Sequence, residues 1–477
     1  MIHEGKEGSR KMKKGDQRRP FSLGTVVMLV MLTIVLVGSA AVLGRLSSGA
    51  SVDLDKLNMQ ILDLQNGLQN NGSHSGNTTA GKGEQADKPA GFPETPGNAS
   101  VSDNPVQEEP AKETNPAQPA AAATEKPATD TKPAETMPEG AYTLTVAGTV
   151  SLEGEVLKNA WNTDSKTYDL SDIMLLLKPE LRGDLNAVFV ENILSDNEKA
   201  SDTVAPEALA DLLQDAGFGM AACGFSKAYD KGTEGIAGTW MALDERGIIP
   251  TGIRTEDRQD RLEIVKVNGV KTAFLQYTGT VPSKTRKKMV KAGTEHTVPE
   301  AEISLITEEI GKAREQGAEA VIVLMKWGKT DNKPDSGQRE LAEQIAGAGA
   351  DLIIGSGSRI PQGAEYLKGR GGANVLCIWS LGSLITGDRS NPRHLSGYLL
   401  HVTIRKNGNG GADILAPEYS PVYTWKYKQD GRYYYRCLAS DLPVPDGMDS
   451  EQQKIMAKAE KAVSETLAGS PLALRSR

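Results

Sequence analysis

The chain has 477 residues, a formal net charge of -8 and a pI near 5.5. That acidic balance excludes a general nucleic-acid binder, whose surface must be basic to meet phosphates. Its three cysteines, Cys223, Cys377 and Cys437, are an odd and sparse set that forms neither a disulfide framework nor a zinc spacing.

Residues 1–22 are basic, with Lys6, Arg10, Lys11, Lys13, Lys14, Arg18 and Arg19 opposed by Glu4, Glu7 and Asp16. Residues 23–43, from Leu23 to Leu43, carry no charge over 21 positions, the length of a membrane-crossing helix. The positive flank places the amino terminus in the cytoplasm and everything after Arg45 outside. The expectation is a single-pass signal-anchor whose first partner is the cell membrane; a cleaved signal peptide ending near Gly38-Ser39-Ala40-Ala41 is the competing reading. Over 44–68, Leu54, Leu57, Ile61, Leu64 and Leu68 make one apolar seam on a juxtamembrane helix, too short for a dependable coiled coil. From 69 to 140 the chain is rich in Pro, Ala, Gly, Ser and Thr and cannot bury enough apolar surface to fold. It reads as a disordered tether.

The folded region, 141–440, begins with the alternating strand Tyr142–Ala147 and a second strand at 187–190, ending at Glu191. A helix over 206–217 leads to a strand at Met220 and the tip 224–232, and a further helix covers 236–246. Runs at 262–267 and 271–277 flank Asn268-Gly269, a strong hairpin signal. An amphipathic helix over 301–316 feeds the strand 320–325. The helix 338–348 and strands at 350–354 and 374–379 follow, a βαβ pattern. Parallel-type units with a hairpin predict an α/β fold, a layered sandwich with mixed sheets. Ligands of such sheets bind beyond the carboxyl ends of the strands, so those tips carry the functional argument. Lys284-Thr-Arg-Lys-Lys288 with Lys291 reads as a basic loop. Residues 441–477 read as a helical tail, with Met456, Ala459 and Val463 on one side of a helix from Ser450 to Leu467.

Three passages, Gly232-Thr-Glu-Gly235 through Ile248, Asn268-Gly-Val-Lys271, and Gln338-Arg-Glu-Leu-Ala342 through Asp351, occur in an order that resembles the bacterial capsule synthesis CapA family, also called the poly-gamma-glutamate PgsA family. The resemblance spans Tyr142 to about Tyr423. It implies a fold similar to calcineurin-like metallophosphoesterases, an outward-facing membrane-anchored protein, and, as partners, an anionic polymer and capsule-synthesis membrane proteins. Matching motif positions are Glu191, Asp230, Gly232, Trp327, Gly328, Gly355, Ser380 and Gly382. Every histidine of the family pattern is replaced. Phe225-Ser226-Lys227 stands for Asn-Asn-His, Lys326-Trp327-Gly328 for His-Trp-Gly, and Gly355-Ser356-Gly357-Ser358-Arg359 for Gly-His-His-Pro-His.

The chain's five histidines, His3, His74, His296, His394 and His401, all lie away from the expected tips. Metallophosphoesterase chemistry needs imidazoles and carboxylates converging on metal ions, and Glu191 with Asp230 is a thin remainder. The expectation is therefore no catalytic residue, no metal and no cofactor, in a binding or scaffolding protein of capsule or poly-gamma-glutamate type polymer assembly. The alternatives are a phosphoesterase with a rearranged site and a surface interaction module unrelated to capsule. Lys227, Lys326 and Arg359, standing where the pattern has His, form a candidate anion-binding set; solvated cations, or cations paired with Glu191 and Asp230, are the plainer account.

Overall fold

A computed structural model describes residues 137–258, 262–329 and 332–476. The expected membrane span 23–43, the seam at 44–68 and the tether up to residue 136 lie outside the described residues. Among the described residues no helix is long and apolar enough to cross a membrane.

In chain order the elements are β1 (Ala141–Val150), α1 (Gly154–Ala160), β2 (Leu185–Val190), α2 (Ala208–Ala216), β3 (Met220–Ala222), α3 (Gly232–Asp244) and β4 (Ile249–Thr251). Then come β5 (Glu263–Val267), β6 (Val270–Thr278), α4 (Ser283–Ala292), α5 (Ile303–Glu315), β7 (Ala320–Lys326), α6 (Ser336–Ala348), β8 (Leu352–Ser356), β9 (Pro361–Lys368) and β10 (Asn374–Leu381). The remainder is β11 (Ser383–Ile385), β12 (Ser396–Lys406), β13 (Ala412–Gln429), β14 (Arg432–Ala439), α7 (Ser450–Leu467) and β15 (Ala473–Leu474).

Two mixed sheets face each other. The first has the order β14-β13-β12-β1-β2-β3-β4, with β11 beside β1 and β15 beside β13; the second has the order β9-β10-β8-β7-β6-β5. Strands β1 to β4 pair in parallel, as do β6, β7, β8 and β10. Because side chains alternate across a strand, each central strand feeds two cores. Leu144, Val146, Phe189, Ile322, Leu324, Ile354 and Ile378 fill the space between the sheets. Val188 and Val190 pack outward with α2 and α3, and Val321, Val323 and Cys377 pack outward with α5 and α6. Burial on both faces explains why β2, β7, β8 and β10 read as nearly continuous apolar runs. The layered α/β sandwich with mixed sheets is the expected one.

The hairpin lies where Asn268-Gly269 predicts it, both residues left-handed with φ of 41° and 86°, as a two-residue turn of this type requires. Three details differ from the sequence reading. The basic stretch at Lys284 is a helix, α4, anchored by buried Met289 and stopped at left-handed Gly293; apolar residues confined to the end of a lysine-rich run, at Met289 and Val290, give no periodicity to read. Helix α3 starts at Gly232, ahead of the expected 236. Strands β9 and β12 to β14 lie in stretches to which the sequence reading assigns no element. The terminal helix spans Ser450–Leu467 as expected, with Asp449 and Gln452 forming a capping box. Its Val463 and Leu467 join the core between the sheets.

Candidate functional site

The carboxyl ends of the two parallel strand sets meet. Thr149 Oγ1, at the end of β1, lies 2.7 Å from Ser356 Oγ, at the end of β8, a hydrogen bond that ties one sheet to the other. Such close approach depends on glycine. A Cβ on Gly148 would stand 2.3 Å from Gly382 O, and one on Gly355 would stand 2.2 Å from Trp379 O, distances no side chain tolerates.

At this junction Glu191, one residue past β2, is buried, its side chain 9% exposed. Its Oε1 is 3.2 Å from Lys326 Nζ, at the end of β7, and its Oε2 is 3.8 Å from Arg359 Nη2. The Lys326 contact is one of charge alone, since Oε1 has no hydrogen bond of good geometry. Arg359 also pairs with Glu153 through Nη1 and reaches Ser151 Oγ at 3.5 Å through Nη2. Arg359 is left-handed, with φ of 60°, an uncommon conformation for a residue with a Cβ. Burial works against the Arg359 charge, but Glu191 and Glu153 outweigh it and raise its pKa above the ordinary arginine value.

Two cations and two carboxylates thus neutralise one another. Lys326 and Arg359, two of the three members of the anion-binding set, are brought together; Lys227 is exposed and joins neither by an ion pair or hydrogen bond among the described residues. Asp230 is exposed as well, and Gly232, with φ of 68°, opens α3. Trp327 donates its indole N–H to Trp379 O at 3.0 Å and stacks on the Trp379 ring at 5.7 Å. Ser380 Oγ accepts the Gly382 N–H at 3.1 Å and lies 3.0 Å from Ser358 Oγ. The retained motif positions therefore brace the tips. Beside Lys326 runs a groove of about 470 Å³, lined by Ser226, Thr278, Trp327, Gly328 and Gln338 among others.

Glu153 and Ser151 escaped the sequence reading. Nothing local marks an acid beyond a strand end as the partner of an arginine some two hundred residues away. The metal ions that a metallophosphoesterase-type site implies do not fit these residues. The junction offers two carboxylates, Glu191 in contact with an ammonium and a guanidinium and Glu153 paired with the same guanidinium, surrounded by hydroxyls. Among the described residues no group of three or more His, Cys, Asp or Glu is placed to hold an ion. A divalent cation at this junction would be repelled by Lys326 and Arg359.

The protein is a mixed α/β sandwich with a polar, charge-compensated junction at its strand tips. The chain belongs to the family described as bacterial capsule synthesis protein PGA_cap, which its residues 143–388 match. It is similar to the PGA biosynthesis protein CapA of Bacillus subtilis (strain 168), 28% identical over 206 residues, covering 43% of this chain and 51% of that protein. The capsule biosynthesis protein CapA of Bacillus anthracis is 27% identical over 217 residues, covering 44% of this chain and 50% of that protein. The chain spans about half the length of the curated relatives it matches. Among solved structures, the calcineurin-like phosphoesterase YfkN from Bacillus subtilis superposes with a TM-score of 0.36 at 12% identity, over 69% of this chain and 99% of that chain.

Proposed function

We propose that this protein acts in capsule or poly-gamma-glutamate type polymer biosynthesis, held outside the membrane by residues 23–43, and that it works by binding or scaffolding instead of hydrolysis. Membership of the capsule synthesis family and the names of the two relatives, a PGA biosynthesis and a capsule biosynthesis protein, support the polymer half of the reading. The uncharged run from Leu23 to Leu43 behind a basic flank supports the anchor.

The observation that carries the non-hydrolytic half is the contact between Lys326 and Glu191. A lysine ammonium beside the retained carboxylate supplies internally the positive charge that a metal would bring, and it offers neither a Lewis acid nor a way to lower the pKa of a bound water. In this reading Lys326 and Arg359 are counter-charges to Glu191 and Glu153, and Lys227 is a solvated surface cation.

The test joins chemistry to genetics. The purified full chain, incubated with manganese, zinc and iron and freed of excess, is analysed for bound metal and assayed on a phosphodiester. Expected are no stoichiometric metal and no turnover, together with loss of surface polymer when the gene is deleted. Tightly held metal with turnover would overturn the non-hydrolytic half. Undiminished polymer after deletion would overturn the polymer half.

A further inference from the structure

Beyond the residues that match the family, Trp425 to Arg436 places Trp425, Tyr427, Tyr433, Tyr434 and Tyr435 close together in a chain that is 5% aromatic. The segment is the β13–β14 hairpin, whose register sets Lys426 opposite Tyr435 and Lys428 opposite Tyr433. Residues paired across two strands point to the same side, so these four share one face. On it the Lys426 ammonium lies 4.3 Å from the Tyr433 ring centre and the Lys428 ammonium 5.6 Å. Neither lysine forms an ion pair among the described residues. Glu155, the acid within reach of the Lys426 charge, is paired with Lys158 at 3.2 Å.

The hairpin tip is pinned to a second aromatic group. Arg432 Nη2 donates to Trp161 O at 2.8 Å and to Asn159 O at 3.2 Å. Trp161 meets Tyr168 edge to face at 4.9 Å. Trp161 is 37% and Tyr433 40% exposed. A depression of about 70 Å³ lies at this junction, lined by Asn159, Asn162, Asp169, Asp172, Arg432 and Tyr433 among others; Asp172 is paired with Arg436 at 2.7 Å and Asp169 accepts the Ser171 hydroxyl.

Half-exposed rings offer flat apolar faces at little entropic cost. Side-chain amides beside them are hydrogen-bonding partners for hydroxyl groups, and unpaired ammoniums in a net-negative protein call for an anion. A pyranose ring has an apolar C–H face and a rim of hydroxyls, and a uronic acid adds a carboxylate. We propose that this hairpin face binds an acidic glycan. Sugar rings stack on Trp161 and against the part of the Tyr433 ring that the lysines leave exposed, hydroxyls bond to Asn159 and Asn162, and carboxylates pair with Lys426 and Lys428. An acidic polypeptide would use the lysines but leave the rings and amides idle. The proposal is independent of the strand-tip junction.

The test is calorimetric titration of the purified full chain with polygalacturonate, with dextran and poly-gamma-glutamate as comparisons. Polygalacturonate is expected to bind, and the other two to bind more weakly by about tenfold or more. The double variant Lys426→Gln/Lys428→Gln and the single variant Tyr433→Ala should each weaken polygalacturonate by about tenfold at unchanged melting temperature. Tyr433→Phe, which keeps the ring, should bind like the parent, and serves as the reference if Tyr433→Ala melts early. Absence of polygalacturonate binding overturns the proposal. So does equal binding of poly-gamma-glutamate with no effect at Tyr433, which would make this a charge-reading surface for a polypeptide.

Discussion

Lys326, at the end of β7, and Glu191, just past the end of β2 in the other sheet, meet at 3.2 Å with their side chains 15% and 9% exposed. The pair sits where the two parallel strand sets converge, so it couples the sheets as well as balancing charge. Breaking a buried pair from one side leaves an uncompensated charge, and this costs more than removing both members. Glu191→Gln should therefore destabilise the domain by about 3 kcal/mol, read from denaturant midpoints. Glu191→Gln combined with Lys326→Met should recover most of that loss, because Arg359 keeps Glu153. A double variant no more stable than the single one would show that the contact contributes no coupling.

Gly355 has no room for even one methyl group, since a Cβ would stand 2.2 Å from Trp379 O and 2.4 Å from the Trp327 indole nitrogen. Gly355→Ala must push β8 away from β10 or break the Trp327 hydrogen bond to Trp379 O. A loss of roughly 1–3 kcal/mol is expected from overpacking of this kind. Gly347→Ala, where no atom lies within 4 Å of the added Cβ, is the helical control and should leave the melting temperature unchanged or raised.

All three cysteines are buried and free. Burial pushes the Cys223 and Cys377 thiols well up and the Cys437 thiol to about 12. Thiolate, not thiol, is the reactive form, so a disulfide reagent at neutral pH should titrate no thiol in the native protein and three after denaturation. Prompt native reaction would show that one of these cores opens readily.

Asp388 is the group whose titration acid should report. Burial raises its pKa, but the Ser390 hydroxyl and backbone N–H and the ring of His394 outweigh this and bring it to about 2, against an ordinary 3.8. A carboxyl with a lowered folded-state pKa favours the native state when ionised. Its contribution is complete above about pH 4 and fades as pH falls towards 2. With 43% of its side chain exposed, solvent screens the effect and the contribution is small. Asp388→Asn should lower stability slightly at neutral pH and converge with the parent near pH 2. A constant difference between the two across that range would assign the loss to something other than charge.

The amino-acid sequence by itself determined the strands β2, β7, β8 and β10, because burial on both faces writes a nearly unbroken apolar run, and β1 and β6 through their alternation. It also placed the turn at Asn268-Gly269, because only residues tolerant of positive φ can stand there, and the terminal helix from Ser450. The replacement of the family's histidines at Lys227, Lys326 and Arg359 was legible one position at a time. Only the tertiary structure decided which of those cations meet. Lys326 and Arg359 close on Glu191 because β2 and β7 belong to facing sheets whose carboxyl ends coincide, while Lys227 stays at the surface. Glu153 was silent for the same reason, since a charge pair formed across the sandwich leaves no spacing in the chain. The long hairpin β13–β14 carried a turn signal at Asp430-Gly431, both left-handed like Asn268-Gly269, but its strands mix tyrosine with lysine and arginine, a pattern that does not show what either face meets.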